Sequence, residues 1–307
     1  MLRVLFAGCN TGGGWLADNG GMVELDSRVH WSVMVRGVGV GAPVLFSLHP
    51  DDVLKTASVG KLFLLAEVMR QEAAGLTGLD DVVDRDRERD DDYMEDSGLL
   101  YLLRQRTLRV ADLCVLVGAF SDNYATNLLV EHVGLANVQR CARQTLGYTR
   151  SNLLDKVRWE SRTPPGLPDD MSCGTARELA DYMARLERGT LIGEDASRRI
   201  GRWLAADADT SMTSGAFNVD PLAHWPDDAG FALMHKTGTE SDVRCDVGAV
   251  TSRATGASIC WAVLANWDKH RYGDLRDTVL RDMRAVGERI RAAVTEPDAS
   301  RRERPWD

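Results

Sequence analysis

The order of patterns along the chain predicts a mixed α/β fold of the α+β type, an antiparallel sheet interrupted by a large helical insertion. Two short apolar strands stand near the start, helical periods fill the middle, and three strands and a long amphipathic helix follow. That order does not fit the strand–helix alternation of a parallel sheet.

The start is rich in glycine (Gly12, Gly13, Gly14, Gly20, Gly21) and is expected to be loosely ordered. From His30 to Val38, Trp31, Val33 and Val35 alternate with Ser32, Met34 and Arg36, the pattern of a half-buried strand. A turn at 37–43 then leads into a second strand, Val44 to Leu48, as in a hairpin. Ser58 to Arg70 is apolar nearly all round and predicts a buried central helix. Further helices are expected at 110–119, 124–133, 135–146, 175–188 and 194–206. Between Arg158 and Cys173 the stretch Thr-Pro-Pro-Gly-Leu-Pro breaks regular structure. Strands are expected at 231–236, 246–251 and 257–266, and a helix over 273–294 with Leu275, Val279, Met283, Val286 and Ile290 on one side.

Composition narrows the function. The 307 residues carry 44% hydrophobic and 27% charged side chains, ordinary for a soluble globular chain, and suffice for one large domain or two packed lobes. A net charge of -9 argues against non-specific binding of nucleic acid, itself a polyanion. The acidic run from Asp80 to Asp92 reads as a solvated face. The six cysteines show no Cys-x-x-Cys spacing; Cys114, Cys141 and Cys260 fall in apolar patterns and read as small buried hydrophobes. The apolar stretch before Cys9 is shorter than the roughly 7–15 residues of a secretory core, so a reduced, cytoplasmic chain is expected unless the start codon is misassigned. No run reaches the about 18 apolar residues of a membrane helix.

Three short motifs occur in order: Ser58-Val59-Gly60-Lys61, Ser121-Asp122-Asn123 and Lys236-Thr237-Gly238. Alone, each has a structural explanation. A Ser-x-x-Lys arises about once by chance in a chain of this size, Ser-Asp-Asn is a good helix cap, and Lys-Thr-Gly ends many strands. All three in sequence, each on a suitable element, carry chemistry. A serine hydroxyl is a poor nucleophile until a base takes its proton. Ser58 and Lys61 stand three apart and share a helix face. A buried lysine gives up its proton more readily, and a helix start offers backbone N–H groups to a developing oxyanion.

With these motifs the chain resembles the class A β-lactamase branch of the penicillin-recognising serine hydrolases, over roughly Trp31 to Val294. The resemblance implies a five-stranded antiparallel sheet with flanking helices beside an all-helical lobe. On this chain that gives an N-terminal segment (1–29), a hydrolase domain (30–295) with an α/β lobe (30–56 and 215–295) and a helical lobe (57–214), and a tail (296–307). It also implies an acyl-enzyme mechanism, most simply β-lactam hydrolysis, on a small acyl substrate that bears a carboxylate, without metal or cofactor. Ser58 is then the nucleophile and Lys61 its base. Ser121 passes a proton to the leaving nitrogen, and Asn123 contacts the substrate amide. Lys236 polarises Ser121 and, with Thr237 and Gly238, faces the substrate carboxylate. The backbone N–H groups of Ser58 and Thr239 form the oxyanion site. Arg244 reads either as a further carboxylate ligand or as an exposed turn arginine.

The chain departs from the pattern in its Pro-rich loop. Arg158-Trp159-Glu160 resembles the segment whose glutamate activates water for deacylation, but Pro164 stands where the asparagine four residues later belongs. Glu160 is the candidate base and Asp155 the fallback, and deacylation is expected to be impaired or altered. Two other expectations follow: a cytoplasmic amidase, esterase or transacylase with the same machinery, or a penicillin-sensing module that does not turn over. His49, His132, His224, His235 and His270 are scattered and read as structural, with His235 facing away from the Lys236 side. Tyr93, Tyr101 and Trp225 are candidate wall aromatics.

Overall fold

The computed structural model describes residues 2–5, 22–85, 94–158, 170–223 and 230–296. The main sheet has five antiparallel strands, β3 (Val29–Gly37), β4 (Val44–Leu48), β10 (Phe231–Glu240), β11 (Val243–Ser252) and β12 (Ser258–Trp267), in the order β10-β11-β12-β3-β4. The last three strands run longer than their apolar cores because hydrogen bonding continues through the polar residues at their ends, the Lys-Thr-Gly motif included.

β3 is not half-buried, as the alternation predicts. Trp31, Val33 and Val35 pack against α8 (Arg276–Thr295), whereas Met34 faces the helical lobe and Ser32 is also buried. Ser32 is tolerated because its hydroxyl accepts from the N–H of Ala176 at the start of α5 (Ala176–Glu187). β12 shows the same division, with Trp261, Val263 and Ala265 on one face and Cys260, Ala262 and Leu264 on the other. The sheet is therefore the middle layer of three.

The helical layer is centred on α1 (Lys61–Ala73), whose Leu62, Phe63, Leu64 and Leu65 are fully buried. Around it stand α2 (Val110–Phe120), α3 (Asn123–Val133), α4 (Leu135–Arg140), which ends in a π turn, and α6 (Glu194–Ala205). The short α7 (Lys269–Tyr272) ends at Gly273, whose φ of 72° is left-handed, so the last helix starts later than its apolar period suggests.

Of the segment 1–29, residues 2–5 and 22–29 are described, and the glycines at 12–14, 20 and 21 lie outside them. β1 (Leu2–Leu5) pairs with β2 (Met22–Leu25), Val23 and Leu25 are buried, and Asp26 donates its N–H to Asp282 of α8 at 2.8 Å. Small pairings also link β6 (Val82–Asp84) to β7 (Thr107–Arg109), and β9 (Ser172–Gly174) to both β5 (Leu54–Lys55) and β8 (Asn152–Leu153). In the acidic run, Asp80 and Asp84 pair with Arg109 and Arg106; residues 86–93 lie outside the described ones. No helix among the described residues is long and apolar enough to cross a membrane.

Candidate active site

Ser58 sits on a 3₁₀ turn, Ala57–Gly60, that runs directly into α1. Residues three apart on such a turn eclipse, which aligns Ser58 with Lys61. Ala57 holds a left-handed φ of 47°, rare for a residue with a side chain. The turn is fastened from β9: Ser172 Oγ donates to the Ala57 carbonyl at 2.6 Å and lies 2.7 Å from Thr56 Oγ1. Ser58 itself is half-buried.

The Lys61 amine is fully buried and surrounded by neutral oxygens. It donates to the Ser121 carbonyl and to Asn123 Oδ1, both at 2.6 Å, and lies 3.3 Å from Ser121 Oγ. Burial pushes its pKa well below the ordinary lysine range, and the positive charge of Lys236 lowers it further; Asp122, Asp96 and Asp207 pull the other way. Ser121 ends α2 in a left-handed conformation, φ 53°, which turns the chain sharply into α3. Between the two, Asp122 acts as a structural residue. Its carboxylate caps α3 through the Ala125 N–H and accepts the N–H groups of Leu99 and Leu100. This pins a loop against the motif, with half-buried Tyr101 on it. Gly98 in that loop has no Cβ because one would lie 2.3 Å from the Asp122 carboxyl carbon. Asn123 Nδ2 donates to Asp96 at 2.8 Å, so Asn123 is held from both ends of its amide.

β10 forms the opposite wall. Gly238 lets it approach the Ser58 turn, since a Cβ there would meet the Thr56 carbonyl at 2.2 Å. The buried Lys236 amine donates to the Thr237 carbonyl at 3.0 Å and stands 3.9 Å from Asp207. β10 is a sheet edge, so alternate N–H groups point away from β11. The Thr237 N–H does so, reaching Asp207 at 3.4 Å. The period of two aims the N–H of exposed Thr239 the same way, the direction an oxyanion donor needs.

Thr237, Thr239, Arg244 and Asp246 share the other face of the β10–β11 pair. Arg244 is buried, not an exposed turn residue, and donates to the carbonyls of Glu240 and Val243. Burial lowers its pKa, with a further push from Arg276. Asp207, which accepts the Thr237 N–H, also accepts the N–H of Asp209 at 3.0 Å, and neither acid has a counterpart in the sequence-based site. Asp207 and Asp209 follow α6 in an Ala-Asp-Ala-Asp stretch with no motif to flag them.

His235 does face away from Lys236. It is fully buried beside Asp207 and Asp246, at 3.8 and 3.7 Å, and neither ring nitrogen has a hydrogen-bond partner. His30, His49 and Asp52, all exposed, bring their ligand atoms within 4.8 Å of one another, a grouping that sequence spacing did not reveal. Glu160, Pro164, Tyr93, His224 and Trp225 lie outside the described residues. Asp155 is buried and already engaged, by Arg158 Nε at 2.9 Å and the Lys156 N–H at 2.8 Å.

Residues 23–285 match the model of the beta-lactamase enzyme family. The chain belongs to that family. A β-lactamase from Amycolatopsis lactamdurans is 30% identical over 169 residues, covering 54% of this chain and 52% of that protein. The chain thus spans about half the length of that relative. In fold, the chain is similar to a β-lactamase from Sphaerobacter thermophilus, with a TM-score of 0.71 at 24% identity over 88% of this chain and 93% of the other. It is also similar to a class A β-lactamase from Mycobacterium abscessus (TM-score 0.70, 18% identity, 87% and 94% covered). A third likeness is to a point mutant of PBP-A, solved as an acyl-enzyme complex with penicillin G (TM-score 0.67, 20% identity, 87% and 90% covered).

Proposed function

We propose that the chain is an acyl-enzyme serine hydrolase with Ser58 as nucleophile, acting most simply on β-lactams. The observation that carries this is the buried Lys61 amine, set three residues after Ser58 among neutral oxygens and next to a second positive charge. Such an amine is neutral at a pH where an exposed lysine is charged, and a neutral amine accepts the serine proton. The Ser58 oxygen then attacks the acyl carbon. The backbone N–H groups of Ser58 and Thr239 stabilise the oxyanion. Lys61 returns the proton through Ser121 to the leaving nitrogen, with Lys236 holding positive charge beside the cleft. Asn123, fixed by Lys61 and Asp96, positions the substrate amide.

Release of the acyl group is the slow step in this proposal. Glu160 lacks its partner asparagine in sequence, and Asp155 is tied to Arg158. A base must reach a held water, and a tenfold loss in deacylation needs only about 1.4 kcal/mol of barrier. The same features support a second reading, in which an amine or alcohol discharges the acyl-enzyme in place of water.

Intact-mass spectrometry after mixing with a penicillin tests both readings. A single persistent adduct on Ser58, absent in Ser58→Ala, is expected. Labelling that survives in Ser58→Ala removes the proposal. Rapid turnover without an adduct removes slow release, and discharge by hydroxylamine but not by water favours the transacylase reading. Glu160→Gln is expected to slow release further; an unchanged rate eliminates Glu160 as the base.

A further inference from the structure

Three side chains with metal-binding atoms converge beside the main sheet, and none of them takes part in the chemistry set out above. His30 stands outward on β3 between the buried Val29 and Trp31. His49 and Asp52 are the first and last residues of a tight turn after β4, closed by the Asp52 N–H on the His49 carbonyl at 3.1 Å. His49 keeps a left-handed φ of 42°, uncommon for a residue with a side chain. Arg177 of α5 holds the turn in place. Its N–H donates to the Pro50 carbonyl at 2.9 Å, and its guanidinium grips the two Asp51 oxygens at 2.7 and 2.8 Å. His30 Nε2 lies 2.7 Å from Asp52 Oδ2, and the two imidazoles meet edge to face with centroids 6.4 Å apart. One ligand atom from each of the three residues lies within 4.8 Å of the other two.

We propose that His30, His49 and Asp52 bind one divalent cation of the zinc class, with water at its remaining positions. The donor set is two imidazole nitrogens and one carboxylate oxygen. That set suits borderline cations such as zinc, cobalt or nickel, whereas calcium and magnesium favour sites made of oxygen alone. Zinc holds such donors at about 2.0–2.2 Å, which puts tetrahedral neighbours about 3.3 Å apart. The three donors reach that spacing by shifts of about 1.5 Å or less, within the rotation of side chains that are open to solvent. The backbone beneath them is already fixed, by the β3–β12 pairing on one side and by Arg177 on the other. A bound ion joins β3 to the loop that leads into the Ser58 turn. The unfolded chain does not hold the three donors together, so binding stabilises the folded state.

The test titrates zinc chloride into the untagged, chelator-treated chain by calorimetry. One ion per chain is expected, with no competition from millimolar magnesium or calcium. His30→Ala, His49→Ala and Asp52→Asn should each weaken binding by at least about tenfold. These side chains are open to solvent, so the variants should keep the zinc-free unfolding temperature of the wild type. At about a hundredfold excess over its Kd, zinc should raise that temperature by about 5 °C in the wild type and not in the variants. A probe that needs no variant is diethyl pyrocarbonate, from which zinc should shield His30 and His49, as read by peptide mass. Absence of binding at millimolar zinc, a site that survives the loss of both histidines, displacement by magnesium, or histidines left unshielded each overturns the proposal. None of these outcomes bears on Ser58 acylation.

Discussion

Two lysines are fully buried on opposite walls of one cleft, and their surroundings differ in kind. Lys61 meets only neutral oxygens, from Ser121 and Asn123, and feels its aspartates at a distance. Lys236 meets a carbonyl and, at 3.9 Å, the Asp207 carboxylate. Burial alone does not decide what a lysine does; its nearest acceptors do. Neutral acceptors hold the amine in place without compensating its charge, which suits a base. A carboxylate compensates the charge, which suits a fixed positive field.

The contrast is most directly broken by exchanging which lysine is lost. Lys61→Ala should lower acylation by about 10⁴-fold, the upper range for a general base, as read by adduct formation on Ser58. Lys236→Ala should cost only about 10²-fold; equal losses would show that the two act as one proton relay. A finer probe is the pH–rate profile. The neutral form of Lys61 is the active one, so acylation should rise with pH through an apparent pKa below the ordinary lysine range and fall about tenfold per unit beneath it. Lys236 pushes that pKa down. Its removal should move the limb toward higher pH, by about one unit. A limb that stays in place would mean that burial alone sets the Lys61 proton. The smallest effect expected is on stability. Asp122→Ala strips three backbone N–H groups of their acceptor and should cost about 2–3 kcal/mol in denaturant unfolding. Acylation should fall with it, because the Asn123 end of the Lys61 cage rests on that cap.

The Lys61 wall was readable in the sequence because its residues fall in short motifs, and local spacing fixes their geometry. β4 was found to the residue and the helices to within a few positions, since apolar periods mark them. The far side of β10 was not readable. Asp207 reaches it across the fold from beyond the end of α6, and a lone acid in a loop carries no period. Ser32 and Arg36 made β3 look exposed on one face, although Ser32 is buried and bonded to α5. The pairings of β5, β8 and β9 are too short to show alternation, yet Ser172 among them fastens the Ser58 turn.

Both shoulders of the Pro-rich stretch are tied to the rest of the fold. Asn127 exchanges two hydrogen bonds of 2.9 Å with Val157, Leu154 donates to the Met171 carbonyl at 2.8 Å, and Lys55 pairs with Asp170 at 2.8 Å. These clasps fix where the chain leaves and rejoins the fold on either side of that stretch. If release is slow as proposed, grafting a relative's loop between Val157 and Asp170 should speed it while leaving the rate of Ser58 acylation unchanged, as read by intact mass.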